Sequence, residues 1–229
     1  MAHTGKKYKK MKEMVTIGQT YALADAVALA KKVSYSKFGG SLEVHAKTFA
    51  DPKYNDQMIR ATVVLPHGTG KTVKVAAFVA EDMKKAAQAA GADIVGSDDL
   101  IKEIEAGNIN FDVLVTTPDM MRDLAKVAKT LGPKGLMPSP KAGTVSPNIE
   151  NAIVEIKKGR VEFKLDKTGN VHVGVGKLSF TDEQLAENVH ALLKAVIENK
   201  PAGIKAKLLK KVVIAPTMGP GVPVAITVE

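Results

Sequence analysis

The sequence contains no cysteine and no tryptophan, and its 229 residues include only four tyrosines and six phenylalanines. The lack of cysteine excludes disulfides, thiolate zinc sites and cysteine nucleophiles. The shortage of aromatic residues argues against a binding mode built on extensive stacking. No apolar run approaches the roughly 20 residues of a membrane span, and none follows the basic N-terminus as it would in a signal peptide. We therefore expect a soluble, cytoplasmic protein with no membrane segment.

Positive charge exceeds negative charge, and the excess lies at the two ends of the chain. The net charge is +9; residues 1–67 hold 11 Lys/Arg and 5 Asp/Glu, residues 160–229 hold 10 and 7, and residues 68–159 hold 12 of each. If the ends fold together around an inserted middle, one domain is strongly basic and the other is neutral. A basic domain most often meets a polyanion, above all nucleic acid. A merely solubilising surface charge is the alternative.

The middle of the chain, residues 68–159, predicts an inserted domain with a parallel sheet. Strands alternate with helices there, and this order is typical of right-handed crossovers and a small Rossmann-like layer. The predicted strands are 72–80, 92–95 and 112–116, and the predicted helices are 81–91, 98–106, 120–131 and 148–158.

The flanks, residues 1–67 and 160–229, predict one discontinuous α+β domain of the split β-α-β type, an open sheet with helices on one face. Strands are predicted at 41–48, 59–65, 207–215 and 222–228, a hairpin at 160–165 and 171–175, and helices at 21–33 and 182–199, with Thr181 as the N-cap of the last. The chain crosses between domains twice, at segments that contain glycine, so we expect a hinge. Its residues are Pro66, His67, Gly68, Lys158 and Gly159.

Residues 131–147 combine three glycines with four prolines. Because proline fixes φ and removes a backbone donor, and glycine reaches positive φ without steric cost, we expect no helix or strand to run through this segment. It also holds Leu131, Leu136, Met137 and Val145. These apolar residues predict a loop packed onto a domain rather than a disordered linker.

Two glycine-rich segments are similar to phosphate-binding loops but lack required residues. In LPHGTGKT (65–72), Leu65 stands where a P-loop needs its first glycine, and the segment precedes a strand rather than a helix. In GVGKL (174–178), Leu178 replaces the required Ser/Thr. Histidines 3, 45, 67, 172 and 190 show no metal-ligand spacing. We expect no metal, no cofactor and no catalysis; a nucleotide-dependent enzyme is the rival, and ATP binding would reveal it.

A first group of candidate nucleic-acid contacts surrounds the strand 41–48. Lys37 and Phe38 lie on a predicted loop beside the polar strand face of His45 and Lys47. Phe38 would pack on a ribose or base while the lysines neutralise phosphates. Phe38 as a core residue is the open alternative.

Two further groups lie in the C-terminal segment. Lys164, Lys167 and Thr168 belong to the predicted hairpin and would contact phosphates and 2′-OH groups, with a solvated edge as the alternative. In TMGPG (217–221), a hydroxyl, a flexible apolar side chain and two glycines stand at a strand end, where bare backbone could approach RNA. With so few aromatic residues, recognition of the shape and backbone of a folded RNA is favoured over binding of a single strand.

Four segments of this sequence together resemble one family. They are LEVHAK (42–47), LPHGTGK (65–71), LGPKGLMPSPKAGTV (131–145) and TMGPG (217–221). In order and spacing they resemble the bacterial large-subunit ribosomal protein L-one family, the universal ribosomal stalk protein, over nearly the whole chain. The resemblance implies an outer domain of both termini, an inserted Rossmann-like domain and no enzyme activity. It also implies binding to the stalk of 23S rRNA near the exit site, assistance in release of deacylated exit-site tRNA, and repression of its own operon through the mRNA.

The resemblance also implies an RNA surface, which includes Lys37, Phe38, His45, Lys47, Lys167, Thr168, Thr217, Met218 and Gly219. Lys134 and Lys141 of the 131–147 segment are secondary candidates for RNA contact. Off the ribosome we expect a monomer. The second rival function is a general polyanion-binding chaperone, which would not distinguish stalk RNA from an unrelated duplex.

Overall fold

The computed structural model describes residues 5–16, 18–201, 203–204 and 207–226. The chain divides into two compact units: the described residues of Met1–Lys71 and Val161–Glu229 form the outer unit, and Thr72–Arg160 form the inserted unit. Net charge follows this division. The segments of the outer unit hold 21 Lys/Arg and 12 Asp/Glu, whereas the inserted unit holds 12 of each.

The first part of the outer unit contributes two helices and two strands. They are α1 (Lys6–Lys12), α2 (Leu23–Val33), β1 (Ser41–Thr48) and β2 (Arg60–Val64). The alternation predicted for β1 is confirmed, because Leu42, Val44 and Ala46 are buried while the residues between them are partly exposed. Their burial fixes which face of the strand points away from the core.

The inserted unit is a parallel sheet covered by helices on both faces. Its elements are β3 (Val75–Phe78), α3 (Lys84–Ala89), β4 (Ile94–Gly96), α4 (Asp98–Glu105), β5 (Val113–Thr116), α5 (Met121–Leu124), α6 (Ala128–Lys134) and α7 (Ile149–Lys157). The strand order is β4-β3-β5, and both pairings are parallel. Ala76 and Phe78 of β3 pack into one apolar layer, and Val75 and Ala77 into the other. This is the predicted Rossmann-like architecture.

As expected, no helix runs through residues 131–147, but helix α6 reaches three residues beyond the predicted helix end at Leu131. Helix α6 continues through Gly132 and Pro133, and a 3₁₀ turn forms at Pro140–Ala142. Pro133 lies in the last turn, and the helix ends one residue after it, where the N–H groups of Gly135 and Leu136 bond to the carbonyls of Gly132 and Leu131. The prediction of a packed segment is confirmed: Leu131 is fully buried, Leu136 and Met137 pack on the same layer, and Val145 bridges to β5.

The second part of the outer unit completes an open antiparallel sheet. Its elements are β6 (Arg160–Lys164), β7 (Asn170–Lys177), α8 (Asp182–Glu198), β8 (Leu209–Pro216) and β9 (Val222–Val224). The sheet order is β7-β1-β8-β9, and α2 and α8 share one apolar core with the buried face of this sheet. Thr181 caps α8 as predicted, in a capping box with Gln184. Of the predicted strand 222–228, residues 227–228 lie outside the described residues.

The predicted hairpin of 160–165 with 171–175 is only partly correct. The turn forms, but β6 pairs with β2, and β7 pairs with β1. Within these described strands the only bridge between the two arms joins Leu165 to Val171. The arms separate because each one's backbone groups find partners on a strand that is distant in sequence. Within the described ranges, no helix combines the length and apolarity needed to cross a membrane.

Candidate nucleic-acid interface

Thr217 connects the end of β8 to the start of β1. Its backbone N–H donates to the Ser41 carbonyl at 3.0 Å; its Oγ1 accepts from the Ser41 N–H at 2.9 Å and donates to the Ser41 carbonyl at 3.1 Å. A hydroxyl has one donor and two acceptor lone pairs, so these bonds leave one acceptor position on Oγ1. Because Thr217 is exposed, that position can accept a hydrogen bond from a ribose 2′-OH.

Met218 and Gly219 form the turn that follows. The Met218 side chain is exposed. The backbone carbonyl of Met218 accepts a hydrogen bond from the Tyr35 N–H at 3.3 Å. A Cβ on Gly219 would lie 2.9 Å from the Val33 carbonyl oxygen and 2.6 Å from Pro216 Cγ. The side of Gly219 that lacks a side chain therefore faces the protein, and the glycine lets the turn sit against the end of α2.

The loop before β1 lies against the same turn. A Cβ on Gly40 would stand 3.6 Å from Thr217 Cβ and 3.6 Å from Ser36 Oγ, and Ser36 Oγ donates to the Phe38 carbonyl at 3.1 Å. Phe38 is 61% exposed, so its reading as a core residue is wrong. Lys37 is exposed as well. The fold thus brings the Lys37–Phe38 loop and the Thr217–Gly219 turn to one end of the sheet.

The face of the four-stranded sheet that points away from α2 and α8 is called the open face. A pair of histidines occupies its middle. His45 and His172 are register partners on β1 and β7, with their Nδ1 atoms 2.8 Å apart. One of these atoms must donate and the other accept. His45 Nε2 lies 3.8 Å from Glu43 Oε2, and His172 Nε2 lies 3.4 Å from Asp166 Oδ2. Burial, and next the charge of His172, lower the pKa of His45, and Glu43 opposes them.

Lys47 and the 166–170 turn form the other end of this face. Lys47 Nζ donates to the Thr168 carbonyl. Asp166 accepts hydrogen bonds from the N–H and hydroxyl of Thr168 and from the N–H of Asn170, at 2.6–2.9 Å. Burial acts to raise the pKa of Asp166, but these hydrogen bonds outweigh it and hold that pKa well below its ordinary value. Lys167 and Thr168 are exposed at the tip of the turn.

The candidates therefore do not all share one surface. Lys164 is exposed on β6, which belongs to the two-stranded sheet with β2 and not to the four-stranded sheet. Lys134 and Lys141 are exposed in the inserted unit, next to the left-handed turns at Gly135 and Gly143.

Sequence reasoning missed two residues of the open face. His172 stands opposite His45, and Lys211 stands opposite Lys47. The alternation of buried valines in 171–175 indicates that His172 faces outward. It does not indicate which strand lies beside it.

The segment 66–68 is fastened to α8 of the outer unit. The fully buried Asn188 accepts from the His67 N–H at 3.1 Å and donates to the carbonyls of Gly68 at 3.0 Å and Val175 at 2.8 Å. His67 Nε2 also lies 2.6 Å from Glu187 Oε2. The second predicted hinge segment contains the exposed Lys158 and the buried Gly159, which has a φ of 99°. The hinge itself stays a prediction.

The two glycine-rich segments do not have the geometry of a phosphate-binding loop. Residues 65–72 form irregular chain rather than the start of a helix, and Gly174–Lys177 lie within β7. A phosphate-binding loop needs helix N–H groups directed at the phosphate. Across the residues that the structure describes, no group of three His, Asp or Glu side chains could hold a metal ion.

Comparison with known proteins gives concordant matches over most of the chain. The sequence model of the Ribosomal protein L1p/L10e family matches residues 30–220. Proteins named "Large ribosomal subunit protein uL1" from Thermosipho africanus and Kosmotoga olearia are 48% and 47% identical over 225 and 222 residues, covering 98% and 97% of this chain and 97% and 96% of theirs. The protein of that name from Rickettsia conorii is 48% identical over 223 residues, 97% of this chain and 93% of its own.

Proposed function

Because the chain belongs to the ribosomal protein L1p/L10e family, we propose that it is a component of the large ribosomal subunit that binds stalk rRNA near the exit site. Proteins of this family are structural components of the ribosome and not enzymes. This chain is likewise not an enzyme. Its place is then the ribosome, in the cytoplasm. Its RNA surface is the open face of the four-stranded sheet, with the loops at the two ends of β1.

The observation that carries this proposal is the meeting of two exposed loops at one end of the sheet. Thr217 is bonded to Ser41 and stands beside Gly40, so the Thr217–Gly219 turn and the Lys37–Phe38 loop form one continuous rim. The rim belongs to the unit that carries the entire net positive charge. A preformed rim of backbone, one free hydroxyl lone pair and an exposed ring suits a folded RNA, whose ribose and phosphate groups present a fixed shape.

In the mechanism we propose, charge and shape have separate roles. Lys37, Lys47 and Lys167 neutralise phosphates and release counterions, which supplies affinity without sequence preference. Thr217 and Met218 contact the RNA backbone and ribose at close range, which fixes the register of the complex. Lys164 would contact RNA only at the margin of this surface, since it lies on the other sheet.

The test replaces residues of the rim and measures affinity for in vitro transcribed 23S rRNA at fixed salt. Met218→Ala and Thr217→Val should each weaken binding about five- to tenfold, the effect of one lost hydrogen bond or apolar contact of about 1 kcal/mol. Thr217→Ser, which keeps the hydroxyl, should retain affinity. Val154→Ala, an exposed position of α7, is the matched control. Unchanged affinity in both rim variants, with unchanged melting temperature, would remove the rim from the site.

The finer roles belong to the same proposal. We propose that the surface also binds the chain's own operon mRNA and represses its translation, because one surface that reads RNA shape accepts two similar folds. Lys134 and Lys141 of the inserted unit are proposed as secondary contacts to RNA or to exit-site tRNA, whose release the protein would assist. The protein would be a monomer off the ribosome, with a hinge at 66–68 and 158–159.

Competition between 23S rRNA and the mRNA leader for the free protein tests whether the two RNAs share one surface.

The two rival functions make different predictions in the same assays. A nucleotide-dependent enzyme would bind ATP in the absence of RNA. A general polyanion chaperone would bind 23S rRNA and an unrelated duplex of equal length with equal affinity. Preference for 23S rRNA without ATP binding is the result that we expect.

A further inference from the structure

Phe49 is exposed at the end of β1 that lies opposite to Phe38. Phe38 precedes β1 and Phe49 follows it, and a strand of this length spans about 25 Å. Phe49 is 55% exposed, although Thr48 and Ala50 on either side of it are buried. Its N–H donates to the Leu208 carbonyl at 2.9 Å. The ring is therefore exposed on a backbone that is held in place.

One lysine ammonium lies over the Phe49 ring, and further lysines occur on the two strands that lead to it. Lys210 Nζ lies over the ring at 5.7 Å from its centroid, within the range of a cation–π interaction. Lys47 and Lys211 are register partners on the neighbouring strands β1 and β8. The closest acidic residue in sequence, Asp51, accepts a hydrogen bond from the Lys53 N–H within its own turn. The exposed ring thus pairs with one lysine at the ends of two strands that carry further positive charge.

We propose that Phe49 and Lys210 form a second stacking site, which takes an unpaired base of the same RNA at the end of the sheet away from Phe38. This inference rests on the proposed function, since it extends the RNA surface along the whole length of β1. Every base has a π-face, and stacking on an exposed ring tolerates any sequence. A ring with a lysine ammonium over it differs from the apolar core of a protein interface, where charged residues are depleted. It complements a polyanion that carries planar groups.

The absence of tryptophan from the chain makes a direct test possible. Phe49→Trp introduces a single tryptophan at the site, Phe38→Trp does so at the rim, and Val154→Trp does so on the inserted unit as the control. Each protein is titrated with 23S rRNA, and tryptophan fluorescence is measured. We expect quenching and loss of accessibility to acrylamide for the tryptophans at 49 and 38, and neither for the one at 154.

Affinity measurements complete the test. Phe49→Ala should weaken binding to 23S rRNA about fivefold or more, the value of one base stacked on an aromatic ring. Phe49→Tyr should restore wild-type affinity, and Lys210→Gln should weaken binding less than Phe49→Ala does. Because the Phe49 side chain is exposed, the melting temperature should remain unchanged in all three.

Failure of this inference can be distinguished from failure of the proposed function. If Met218→Ala weakens binding while Phe49→Ala does not and the tryptophan at 49 stays unquenched, the second stacking site is wrong and the RNA surface ends before Phe49. If the wild-type protein shows no preference for 23S rRNA over an unrelated duplex, both proposals are overturned. Quenching at 49 together with reduced affinity of Phe49→Ala supports the site.

Discussion

Gly219 belongs to the proposed RNA rim and Gly39 directly follows its Lys37–Phe38 loop, but only Gly219 is required by the fold. A side chain at Gly219 would collide with the Val33 carbonyl and with Pro216, whereas, apart from the adjacent residues of the chain, no described atom lies within 4 Å of a Cβ placed on Gly39. Sequence reasoning interpreted Gly219 as bare backbone offered to RNA. The structure indicates that the glycine is needed on the protein side, so its contribution to binding comes through the position of the turn.

Gly219→Ala should therefore destabilise the protein by about 1–3 kcal/mol, the usual cost of overpacking against atoms that cannot move aside. Gly39→Ala, the matched control, should leave the free energy of unfolding within about 0.5 kcal/mol of wild type. Denaturant unfolding at neutral pH measures both values. Equal stability of the two variants would show that the turn shifts freely away from α2.

His45 makes stability depend on pH. Burial lowers its pKa below the ordinary value of 6.5, His172 adds to the effect, and Glu43 opposes it, while Asp166 faces His172 from the turn. The neutral form is thus favoured in the folded protein. The stability that neutral His45 contributes is fully present above pH 6.5, and it is lost as the pH falls through the folded-state pKa of His45.

The fall in melting temperature between pH 7.5 and pH 5.5 should accordingly be smaller in His45→Gln than in the wild type. His190→Gln, at an exposed position of α8, controls for loss of a histidine as such. Thermal unfolding followed by circular dichroism at the two pH values makes the comparison. An identical fall in His45→Gln and wild type would contradict the direction of the pKa shift.

At the scale of secondary-structure elements, helix α6 differs most from expectation. Its last turn contains both Gly132 and Pro133, and Gly135 closes it in the left-handed conformation with a φ of 72°. The two glycines have different roles: Gly132 lies inside the helix, and only Gly135 needs a positive φ. Composition alone could not separate them, because glycine favours turns in one position and is merely tolerated in the other.

Gly135→Ala should cost about 1–2 kcal/mol, because an alanine in the left-handed conformation brings its Cβ against the next carbonyl. Gly132→Ala should cost less than Gly135→Ala because Gly132 has no positive φ, but the backbone entropy that alanine saves is offset by its Cβ meeting the ring of Pro133, the next residue. Beyond its chain neighbours and the backbone of the helix itself, neither Cβ would meet a described atom within 4 Å. Chemical denaturation of both variants measures the difference, and an equal loss of stability in the two would contradict the need for a positive φ at Gly135.

At the scale of the whole molecule, the net positive charge belongs to only one of the two units. The outer unit carries the net charge of +9, and the inserted unit is neutral. Each phosphate that a lysine neutralises adds about 0.7–0.9 to the slope of log affinity against log salt. The number of contacts made by each unit is therefore measurable without a structure of the complex.

Binding to 23S rRNA should weaken steeply between 50 and 200 mM salt, concentrations at which counterion release is readily measured. Lys37→Gln and Lys47→Gln should each reduce the slope by about 0.7–0.9, the contribution of one phosphate contact. Lys134→Gln and Lys141→Gln test the secondary contacts in the same titration, and we expect a smaller change for each. A flat log–log plot for the wild type would contradict the electrostatic part of the mechanism.

Features that depend on near neighbours in the chain could be predicted from the sequence alone. The period-2 alternation of β1, the N-cap Thr181 and the alternating strands and helices of the inserted unit are confirmed. Each is a preference of a few consecutive residues. The four spaced motifs were also sufficient to indicate the family that the comparisons show.

Which residues share the candidate RNA surface could not be predicted in this way, because it depends on contacts between distant parts of the chain. Ser41 meets Thr217 across 176 positions, and His45 meets His172 across 127. Strand pairing of that kind is chosen by competition among all possible partners for backbone hydrogen bonds and buried area, which no local pattern records. For the same reason β6 pairs with β2 instead of closing a hairpin with β7.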